Sequence, residues 1–426
     1  MKTLTFGATH EPVLLAGIGN PNVFEGSMTL AGHRAVHGSP LPAGRSTKRR
    51  VDEIIAALQR DGVRGRGGAD FPFAIKLQSI VDQRKKPIIV VNAAEGEPAS
   101  AKDLGLLSRN PHLILDGAIS VARLVGGTEV IIWLHHGSEA LGILRRAIDE
   151  RVQEVGDISI KVAEAPDRFV SGQVTSVVQG LSGGIALPYV LKEQPSVKGV
   201  NGRPTLISNA ETYALVATAL QHGAASAGHL LTTVMDASGN RTIVETIRGT
   251  SVSEVLSAAG VSVANEPILV GGYAGSWLTA NRLPSAVVDS IVATEPDIRL
   301  GVALFAVADP SWCPVALTAH IVTWLANQSA GQCGPCAFGL PATAEALTRL
   351  AQGVGSSTDR DHLVRWLPML TGRGACAHPD GVVGLVRATG ESFANHLWDH
   401  VNQVPCSSVR ATYPWPALDL PVALSA

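Results

Sequence analysis

The sequence predicts a chain of three structural parts: an α/β domain with a parallel sheet, a small α+β domain and a C-terminal helical bundle. Over the first half of the chain, apolar strand-like runs alternate with helical patterns, as in a parallel sheet covered by helices. Short β-type runs and clusters of turn-forming residues follow from about residue 230. Helical patterns then dominate from Pro314 to about Asn402.

The individual elements follow from the spacing of apolar residues. The first clear helix is expected over residues 51–60, and further helices over 111–125, 137–152 and 252–259. Strands are expected at 87–91, 129–134 and 158–162. We predict an N-terminal arm (1–45), the α/β domain (46–228), the α+β domain (229–310), the helical domain (311–403) and an irregular tail (404–426).

Composition narrows the classes of function. The 34 Lys and Arg nearly balance the 36 Asp and Glu, so the protein has no overall positive charge that would attract nucleic acid. Charged residues make up only 16% of the chain, and we therefore expect partner subunits to cover part of its surface. No apolar stretch reaches the length of a bilayer span, and the first residues lack the features of a secretory signal. These features predict a cytoplasmic protein, free or on the cytoplasmic face of a membrane complex, whose five cysteines serve metal or redox chemistry.

A glycine-rich basic run at residues 63–72 contains three glycines and two arginines. Glycine lets main-chain amides approach an anion closely, and arginine neutralises phosphate. The next predicted strand leads directly into the polar segment 92–98, and ligands of open α/β sheets lie beyond the carboxyl ends of strands. The two loops are therefore expected to face one crevice and to cradle a phosphate. The alternative is a flexible surface loop.

Cys333 and Cys336 form a C-x-x-C motif forty residues ahead of Cys376. Three thiolates suit a [3Fe–4S] centre, or a [4Fe–4S] centre completed by a ligand that the three cysteines do not supply. The candidates for that ligand are His378, Gln332, Cys313 and water. A zinc ion held by three cysteines and one histidine is an alternative, and so is a metal-free relic in which the thiols pack as small apolar side chains.

The remaining cysteines and the histidines receive simpler interpretations. Cys313 and Cys406 stand apart in the sequence and are interpreted as structural. The thirteen histidines are scattered along the chain. His135 and His136 follow a strand that looks buried, which favours a loop pair bonded to the backbone over a metal site.

These motifs resemble the NADH-binding flavoprotein subunit of respiratory complex I, a family shared with NAD-linked hydrogenases and formate dehydrogenases. The family loop R-G-R-G-G-A-G-F-P-T-G-x-K-W is similar to residues 64–77, and its motif N-A-D-E-G-E-P-G-T-F-K-D-R to residues 92–104. The similarity continues through residues 204–212 to the cysteines. The resemblance implies an FMN-binding α/β domain, a ubiquitin-like α+β domain of the soluble-ligand-binding type and a helical iron–sulfur domain.

Position by position, the resemblance also implies contacts to the cofactors. FMN would be held by Gly65, Arg66, Gly67, Gly68, Lys76, Asn92, Glu95, Gly172, Ser208 and Asn209. Glu95 and Glu97 would be the catalytic carboxylates, with Glu97 near the nicotinamide. Cys333, Cys336 and Cys376 would bind the iron–sulfur cluster, whose first ligand in the family is replaced here by Ala330.

Two groups of residues depart from the family pattern. The motif Y-I-C-G-E-E-T-A appears at residues 169–176 without its two carboxylates, which are replaced by Gln173 and Val174. Asp70 replaces a glycine beside the phosphate loop, and Ala94 replaces an aspartate that faces the flavin.

Fewer of the aromatic rings that sandwich the adenine in the family are present in this chain. Phe71 is present, whereas residues 77–79 and Gln194 carry no ring. Each lost contact removes on the order of 1 kcal/mol of binding free energy. The departures together predict a weakened or lost NAD(H) site.

The predicted function is electron transfer between FMN, an iron–sulfur centre and a redox partner, such as a ferredoxin-like protein or a membrane complex. A flavin and a cluster placed side by side split electron pairs into single steps. One alternative is an NADH dehydrogenase (diaphorase) subunit in which Phe169 or Phe73 stacks on the nucleotide. A second alternative is a cofactor-free scaffold subunit.

Overall fold

The computed structural model describes residues 4–18, 26–39, 47–289 and 298–418. Parts of the predicted arm and the end of the predicted tail therefore lie outside the described residues. None of the described helices combines the length and the apolarity that crossing a bilayer requires.

The described residues contain fourteen α-helices and ten strands. The helices are α1 (Leu30–His37), α2 (Lys48–Arg60), α3 (Phe73–Val81), α4 (Lys102–Arg109), α5 (Pro111–Val125), α6 (Leu141–Asp149), α7 (Val174–Leu181), α8 (Ala210–His222), α9 (Val252–Ala258), α10 (Pro314–Asn327), α11 (Leu340–Ala351), α12 (Ser357–Leu370), α13 (His378–Ser392) and α14 (Ala394–Val401). The strands are β1 (Thr5–Ala8), β2 (Ile88–Asn92), β3 (Glu129–His135), β4 (Ser159–Ala165), β5 (Thr205–Asn209), β6 (His229–Met235), β7 (Arg241–Ile247), β8 (Ile268–Val270), β9 (Ser276–Leu278) and β10 (Leu304–Val307). The predicted fold class is confirmed.

The first sheet is parallel throughout, with strand order β4-β3-β2-β5. The first four residues of its strand β2, 88–91, are buried and β-branched, which suits a strand covered by helices on both faces. Helices α5 and α8 pack against each other and against β2. The register places Asn92 at the end of β2 directly opposite Asn209 at the end of β5, so both amides mark the carboxyl edge of the sheet.

The second sheet is mixed and has six strands in the order β1-β7-β6-β10-β8-β9. Strand β1 lies in the region predicted as an arm and runs parallel to β7, and β10 runs parallel to β6. The other strand pairs are antiparallel. Helix α9 packs on this sheet through Val255 and Leu256, which completes a small α+β unit.

Helices α10 to α14 form the C-terminal bundle, in which α10 and α11 make the most extensive contact. Helix α13 packs against β9, and Trp277 of that strand donates a hydrogen bond to Thr389 at 3.0 Å. The tail has no helix or strand as far as Leu418, yet it is well packed. Trp415 is fully buried and stacks on Tyr273, with 6.3 Å between the ring centroids.

A buried ion cluster joins helix α1 to the α/β domain. Asp116 on α5 accepts hydrogen bonds from His33 and Arg34 of α1, both at 2.8 Å, and from Arg151 after α6. The side chains of Asp116, His33 and Arg151 are fully buried. Burial alone would raise the pKa of Asp116, but the bonds from His33, Arg151 and Arg34 hold it well below its usual range.

Candidate functional site

A cavity of about 380 Å³ lies where the two sheets and the helical bundle meet. Its walls come from the glycine-rich loop, the loop after β2, residues 169–173 before α7, the turns beside the second sheet and residues 376–378. The sequence-predicted residues in these walls are Arg66, Gly67, Gly68, Asn92, Glu95, Glu97, Gly172, Asn209 and Cys376. Gly65, Lys76 and Ser208 are not among the wall residues.

Two loops of this cavity touch backbone to backbone, which explains their glycines. A Cβ on Gly96 would lie 2.5 Å from the carbonyl oxygen of Phe169, and a Cβ on Gly172 would lie 2.6 Å from that of Ala94. The Asn92 amide donates a hydrogen bond to the carbonyl of Gly172 at 2.7 Å. Side chains larger than glycine would force the two loops apart and open the cavity wall.

Arg66 lies in the cavity wall and has a buried guanidinium group that can still donate hydrogen bonds. Its side chain is 2% exposed, and its Nε lies 3.3 Å from a carboxylate oxygen of Glu211. Its Nη2 has no hydrogen-bond partner among the described residues. A buried donor without a partner beside Gly67 and Gly68 fits an anionic group such as a phosphate.

Asp70 occupies the position where the family has a glycine, and its backbone has φ +48°. This left-handed conformation is tolerated by aspartate better than by most residues. Its carboxylate is bound by Arg64, by Arg66 at 3.4 Å and by Arg248. Three guanidinium groups therefore neutralise the extra carboxylate beside the glycine-rich loop.

A second ion network surrounds the Lys102 ammonium at the base of the cavity. Its Nζ lies 2.7 Å from Asp103 Oδ1, 3.0 Å from Glu211 Oε2 and 3.5 Å from Asn209 Oδ1. Burial alone would lower the pKa of Lys102, but the carboxylates of Asp103 and Glu211 outweigh it and raise the pKa. Lys102 and Asp103 were not singled out from the sequence, although the motif over residues 92–104 contains both.

The two predicted carboxylates lie at the junction of the first and second sheets. Burial raises the pKa of Glu95 to about 7, assisted by the Asp103 charge, and burial also raises the pKa of Glu97 to about 7. Glu97 accepts main-chain hydrogen bonds from Tyr273 at 2.8 Å and from Ala99 at 3.2 Å. Both carboxyl groups can therefore change protonation near neutral pH.

Glu97→Gln should flatten the dependence of stability on pH. A carboxyl whose pKa is about 7 in the fold and about 4.3 in the unfolded chain binds more protons when folded, so stability falls as pH rises between the two values. Glutamine removes this contribution, which is on the order of 1–3 kcal/mol. Thermal unfolding midpoints of both proteins at about pH 5.5 and pH 8 measure it, and Glu193→Gln, which changes an exposed carboxylate, is the control. Parallel pH profiles of Glu97→Gln and the wild type would contradict this assignment.

A second cavity of about 510 Å³ lies beside α3 and is lined by Phe71, Ile75, Lys76, Val174 and Gln194, among others. The Lys76 ammonium donates a hydrogen bond to the carbonyl of Ile207 at 3.3 Å and lies 6.0 Å from the centre of the Phe71 ring. Burial lowers the pKa of Lys76. The structure thus places Lys76 in the wall of this second cavity, with its ammonium next to the predicted residues Ser208 and Asn209 along the chain.

The two phenylalanines considered for stacking have different surroundings. Phe73 is 1% exposed and packs edge-to-face on Tyr213 in the core, so it cannot stack on a ligand, which leaves Phe169 as the phenylalanine for that alternative. Phe169 lies in the wall of the first cavity, where its ring contacts Trp324 and His378 at centroid distances of 5.6 Å and 5.2 Å.

The three predicted cluster cysteines gather at the carboxyl end of α10. Cys336 lies in a π-helical turn, Pro335–Gly339, that leads into α11, and Cys376 precedes α13. Burial raises the pKa of Cys336 to about 12, assisted by the adjacent Cys333. Main-chain N–H groups outweigh the effect of burial at Cys333 and lower its pKa. Three neighbouring thiols, one of which lies in the wall of the first cavity, fit an iron–sulfur cluster beside that cavity.

Two of the candidates for a further cluster ligand, Cys313 and His378, lie at different distances from the three cysteines. Cys313 caps the opposite end of the 14-residue helix α10, a distance of roughly 21 Å, so it cannot complete the cluster. His378 follows Cys376 closely, and its Nε2 is hydrogen-bonded to the carbonyl of Leu325 at 2.8 Å. The Nδ1 of His378 has no hydrogen-bond partner among the described residues.

Comparisons with known proteins agree with this architecture. Residues 58–218 match the family described as the Nuo51 FMN-binding domain, and residues 316–400 match the NADH-ubiquinone oxidoreductase-F iron-sulfur binding region. One subunit of the NADH-quinone oxidoreductase of Rhizobium meliloti (strain 1021) is 26% identical over 93% of this chain and 99% of its own length. The mitochondrial NADH-ubiquinone oxidoreductase 51 kDa subunit of Aspergillus niger is 26% identical over 79% of this chain and 75% of its own length. A subunit of the NADP-reducing hydrogenase of Solidesulfovibrio fructosivorans is 25% identical over 83% of this chain and 77% of its own length.

A solved structure shares the fold over almost the whole chain. It is the crystal structure of an NAD+-reducing [NiFe]-hydrogenase in the air-oxidized state, with a TM-score of 0.79 and 25% identity. The similarity covers 94% of this chain and 68% of the hydrogenase chain.

Proposed function

Because this chain is a divergent member of the family of NADH-binding flavoprotein subunits of NADH:quinone oxidoreductase, we propose that it transfers electrons with a weakened or lost NAD(H) site. It has an FMN-binding domain and an iron–sulfur binding region, as oxidoreductase subunits of this family do. The observation that carries the proposal is that Cys376 lies in the wall of the same cavity as Arg66, Gly67 and Asn92. A flavin in this cavity would lie next to the cluster.

The residues of the first cavity are suited to hold FMN. Arg66 would neutralise the phosphate, since its Nη2 is buried without a partner, and the adjacent Gly67 and Gly68 leave room for close approach. Asn92 and Asn209 would orient the ring and the ribityl chain from neighbouring strand ends. Bound flavin exchanges electrons singly or in pairs, and an iron–sulfur cluster exchanges them singly.

The three cluster cysteines leave one ligand position of a [4Fe–4S] centre to another group. Cys333, Cys336 and Cys376 would bind three irons, which suits either a [3Fe–4S] centre or a [4Fe–4S] centre with a ligand other than cysteine. Ala330 cannot supply a ligand where the family has its first cysteine. The neighbouring His378 has one nitrogen without a hydrogen-bond partner among the described residues, which makes it the best-placed candidate.

The second cavity supports the proposal that NAD(H) binds weakly. Val174 and Ile75 present apolar surface there, and Phe71 is the one aromatic ring of its described walls. Gln173, which replaces a carboxylate of the family, caps α7 by accepting hydrogen bonds from the main-chain N–H groups of Thr175 and Ser176. An adenine would therefore find one stacking partner, and the nicotinamide would lose a polar contact.

We propose a one-electron partner, such as a ferredoxin-like protein or a redox subunit of a membrane complex. The low content of charged residues, 16%, favours a surface covered by other subunits. A one-electron partner matches the cluster, which carries electrons one at a time, and it does not require the weakened nucleotide site.

Anaerobic mixing of the flavin-loaded protein with reductants tests this function. Dithionite and a chemically reduced ferredoxin should bleach the flavin, whereas NADH should bleach it slowly or leave it unchanged. Rapid, complete bleaching by NADH would contradict the proposal and support the NADH dehydrogenase alternative. Purified protein that is colourless, contains no iron and takes up no FMN would support the scaffold alternative.

Val174→Glu should increase the reactivity of the protein with NADH. The change restores one of the two carboxylates of the family motif, of which the resemblance places one beside the nicotinamide nucleotide, and Val174 lies in the wall that also holds Lys76. One hydrogen bond to a charged group contributes about 1.5 kcal/mol, which corresponds to roughly a tenfold gain in affinity. The apparent NADH affinity from flavin bleaching measures the effect. Val174→Gln is the control, because glutamine has the shape of glutamate without its charge. An equal gain in NADH affinity from Val174→Gln would contradict the role of the charge.

A further inference from the structure

A second group of metal-ligating side chains lies in the helical bundle and lines neither of the two cavities described above. It consists of Cys313, His396, His400 and Cys406, whose ligand atoms all lie within 4.8 Å of one another. The Cys313 sulfur is 3.3 Å from Nε2 of His396 and 3.1 Å from Nε2 of His400. The Cys406 sulfur is 3.7 Å from Nε2 of His396.

Three separate parts of the chain deliver these side chains. His396 and His400 are four residues apart on α14, so they lie on the same face of the helix. Cys313 caps the first turn of α10, and Cys406 lies in the tail that follows α14. The main-chain N–H of Cys313 donates a hydrogen bond to the carbonyl of Ser408 at 3.0 Å, which holds the tail beside the helix.

The spacing of the ligand atoms matches a tetrahedral metal site. Zinc binds nitrogen at about 2.0–2.1 Å and sulfur at about 2.3 Å, so neighbouring ligand atoms of a tetrahedron lie roughly 3.3–3.8 Å apart. The three sulfur-to-nitrogen distances given above, 3.1 to 3.7 Å, are close to this spacing, and all ligand atoms of the group lie within 4.8 Å of one another. A binuclear iron–sulfur centre would need a wider site, because its ligands are divided between two irons.

The second nitrogen of His400 supports the same conclusion. Its Nδ1 lies 3.0 Å from the carbonyl oxygen of Leu350 on α11, which accepts a hydrogen bond only if Nδ1 carries the proton. Nε2 then has its lone pair free, and it lies 3.1 Å from the Cys313 sulfur. Metal-ligating histidines are commonly fixed in this way by a backbone carbonyl.

We propose that Cys313, His396, His400 and Cys406 bind one zinc ion in a closed structural site. Two thiolates and two imidazoles are a common donor set of structural zinc, and no group of the site is left for a substrate. The ion fastens α14 and the tail to the first turn of α10. The zinc site and the iron–sulfur cysteines lie at opposite ends of α10, so the five cysteines divide into two independent metal sites.

Metal counts on the untagged full-length protein, purified anaerobically without chelators, test the proposal. The wild type should contain about one zinc ion per chain in addition to its iron. Cys406→Ser and His396→Gln should lose most of the zinc and keep the iron, whereas Cys333→Ser should lose iron and keep zinc. Wild-type protein that takes up no zinc when supplied with it, or zinc that is unaffected by Cys406→Ser, would overturn the proposal.

X-ray absorption at the zinc edge of the wild type keeps the test valid if a variant fails to fold. The expected first coordination sphere has two sulfurs at about 2.3 Å and two nitrogens at about 2.0 Å. A sphere dominated by oxygen would show adventitious zinc and would also overturn the proposal. So would a disulfide between Cys313 and Cys406, detected by mass spectrometry of the protein as isolated.

Discussion

Replacing Cys336 with serine should remove iron and sulfide from the protein while its flavin remains. Cys336 is 4% exposed and is not in the wall of the first cavity, so its loss leaves the residues proposed to hold FMN in place. Serine offers a hard oxygen where iron prefers a soft thiolate. Removing groups that merely orient a metal ligand costs roughly 10–100-fold in affinity, and losing one of three thiolates should cost at least as much.

Iron, sulfide and flavin counted on one anaerobic sample measure this effect, together with the paramagnetic signal of the reduced cluster. We expect at least about a tenfold fall in iron per chain and an unchanged flavin content. Ala337→Ser is the matched control, because it adds a hydroxyl to an exposed position of the same turn without removing a thiolate and should not affect the iron. Iron that persists in Cys336→Ser, or falls equally in the control, would refute the assignment of the cluster cysteines.

Asp116→Asn should be the most destabilising of the conservative substitutions considered for this protein. Asparagine keeps the shape of aspartate but leaves the fully buried guanidinium of Arg151 without its charged partner. It also weakens the bonds from His33 and Arg34 that hold α1 on the α/β domain. Breaking a buried ion pair from one side costs about 3–5 kcal/mol.

Denaturant and thermal unfolding of the wild type and Asp116→Asn measure this loss. The folded-state pKa of Asp116 is depressed, so its contribution is present at neutral pH and is lost as pH falls below about 4. The difference between the two proteins should therefore persist down to about pH 4 and shrink in stronger acid. Asp361→Asn, which changes an exposed carboxylate, should alter stability by less than about 0.5 kcal/mol. A neutral effect of Asp116→Asn would show that the cluster does not stabilise the fold.

Much of the first sheet could be predicted because each strand carries its own signal. Strand β2 begins with a continuous buried run of β-branched residues, and α5 has the expected bounds of 111–125 with proline at its start and glycine at its end. Strand β1 was not predicted, since its partner β7 lies 237 residues away and four residues carry little periodicity. Helix α1 was missed because it is only eight residues long and owes its position to the ion cluster with Asp116.

The candidate site was predictable where residues come from local motifs. Arg66, Asn92 and Glu95 belong to two such motifs, and the structure brings them into one cavity. Lys76 belongs to the same loop motif but reaches a different cavity, because α3 directs its side chain toward Ile207.

The proposed zinc ligands could not be identified as one site from the sequence alone. Cys313 lies 83 residues before His396, and no spacing rule connects the two. Their proximity depends on how α14 packs in the bundle, which is a property of the tertiary fold. The pair of histidines four residues apart on one predicted helix was the available signal.

The parallel pairing of β1 with β7 has a consequence for biosynthesis. At roughly 5–20 residues per second, the ribosome delivers β7 about ten to fifty seconds after β1 has emerged. During this interval residues 5–8 have no partner strand to pair with, although the parallel sheet and its helices can already fold. We therefore expect newly made chains to be prone to aggregation and to depend on a chaperone until β7 has been made.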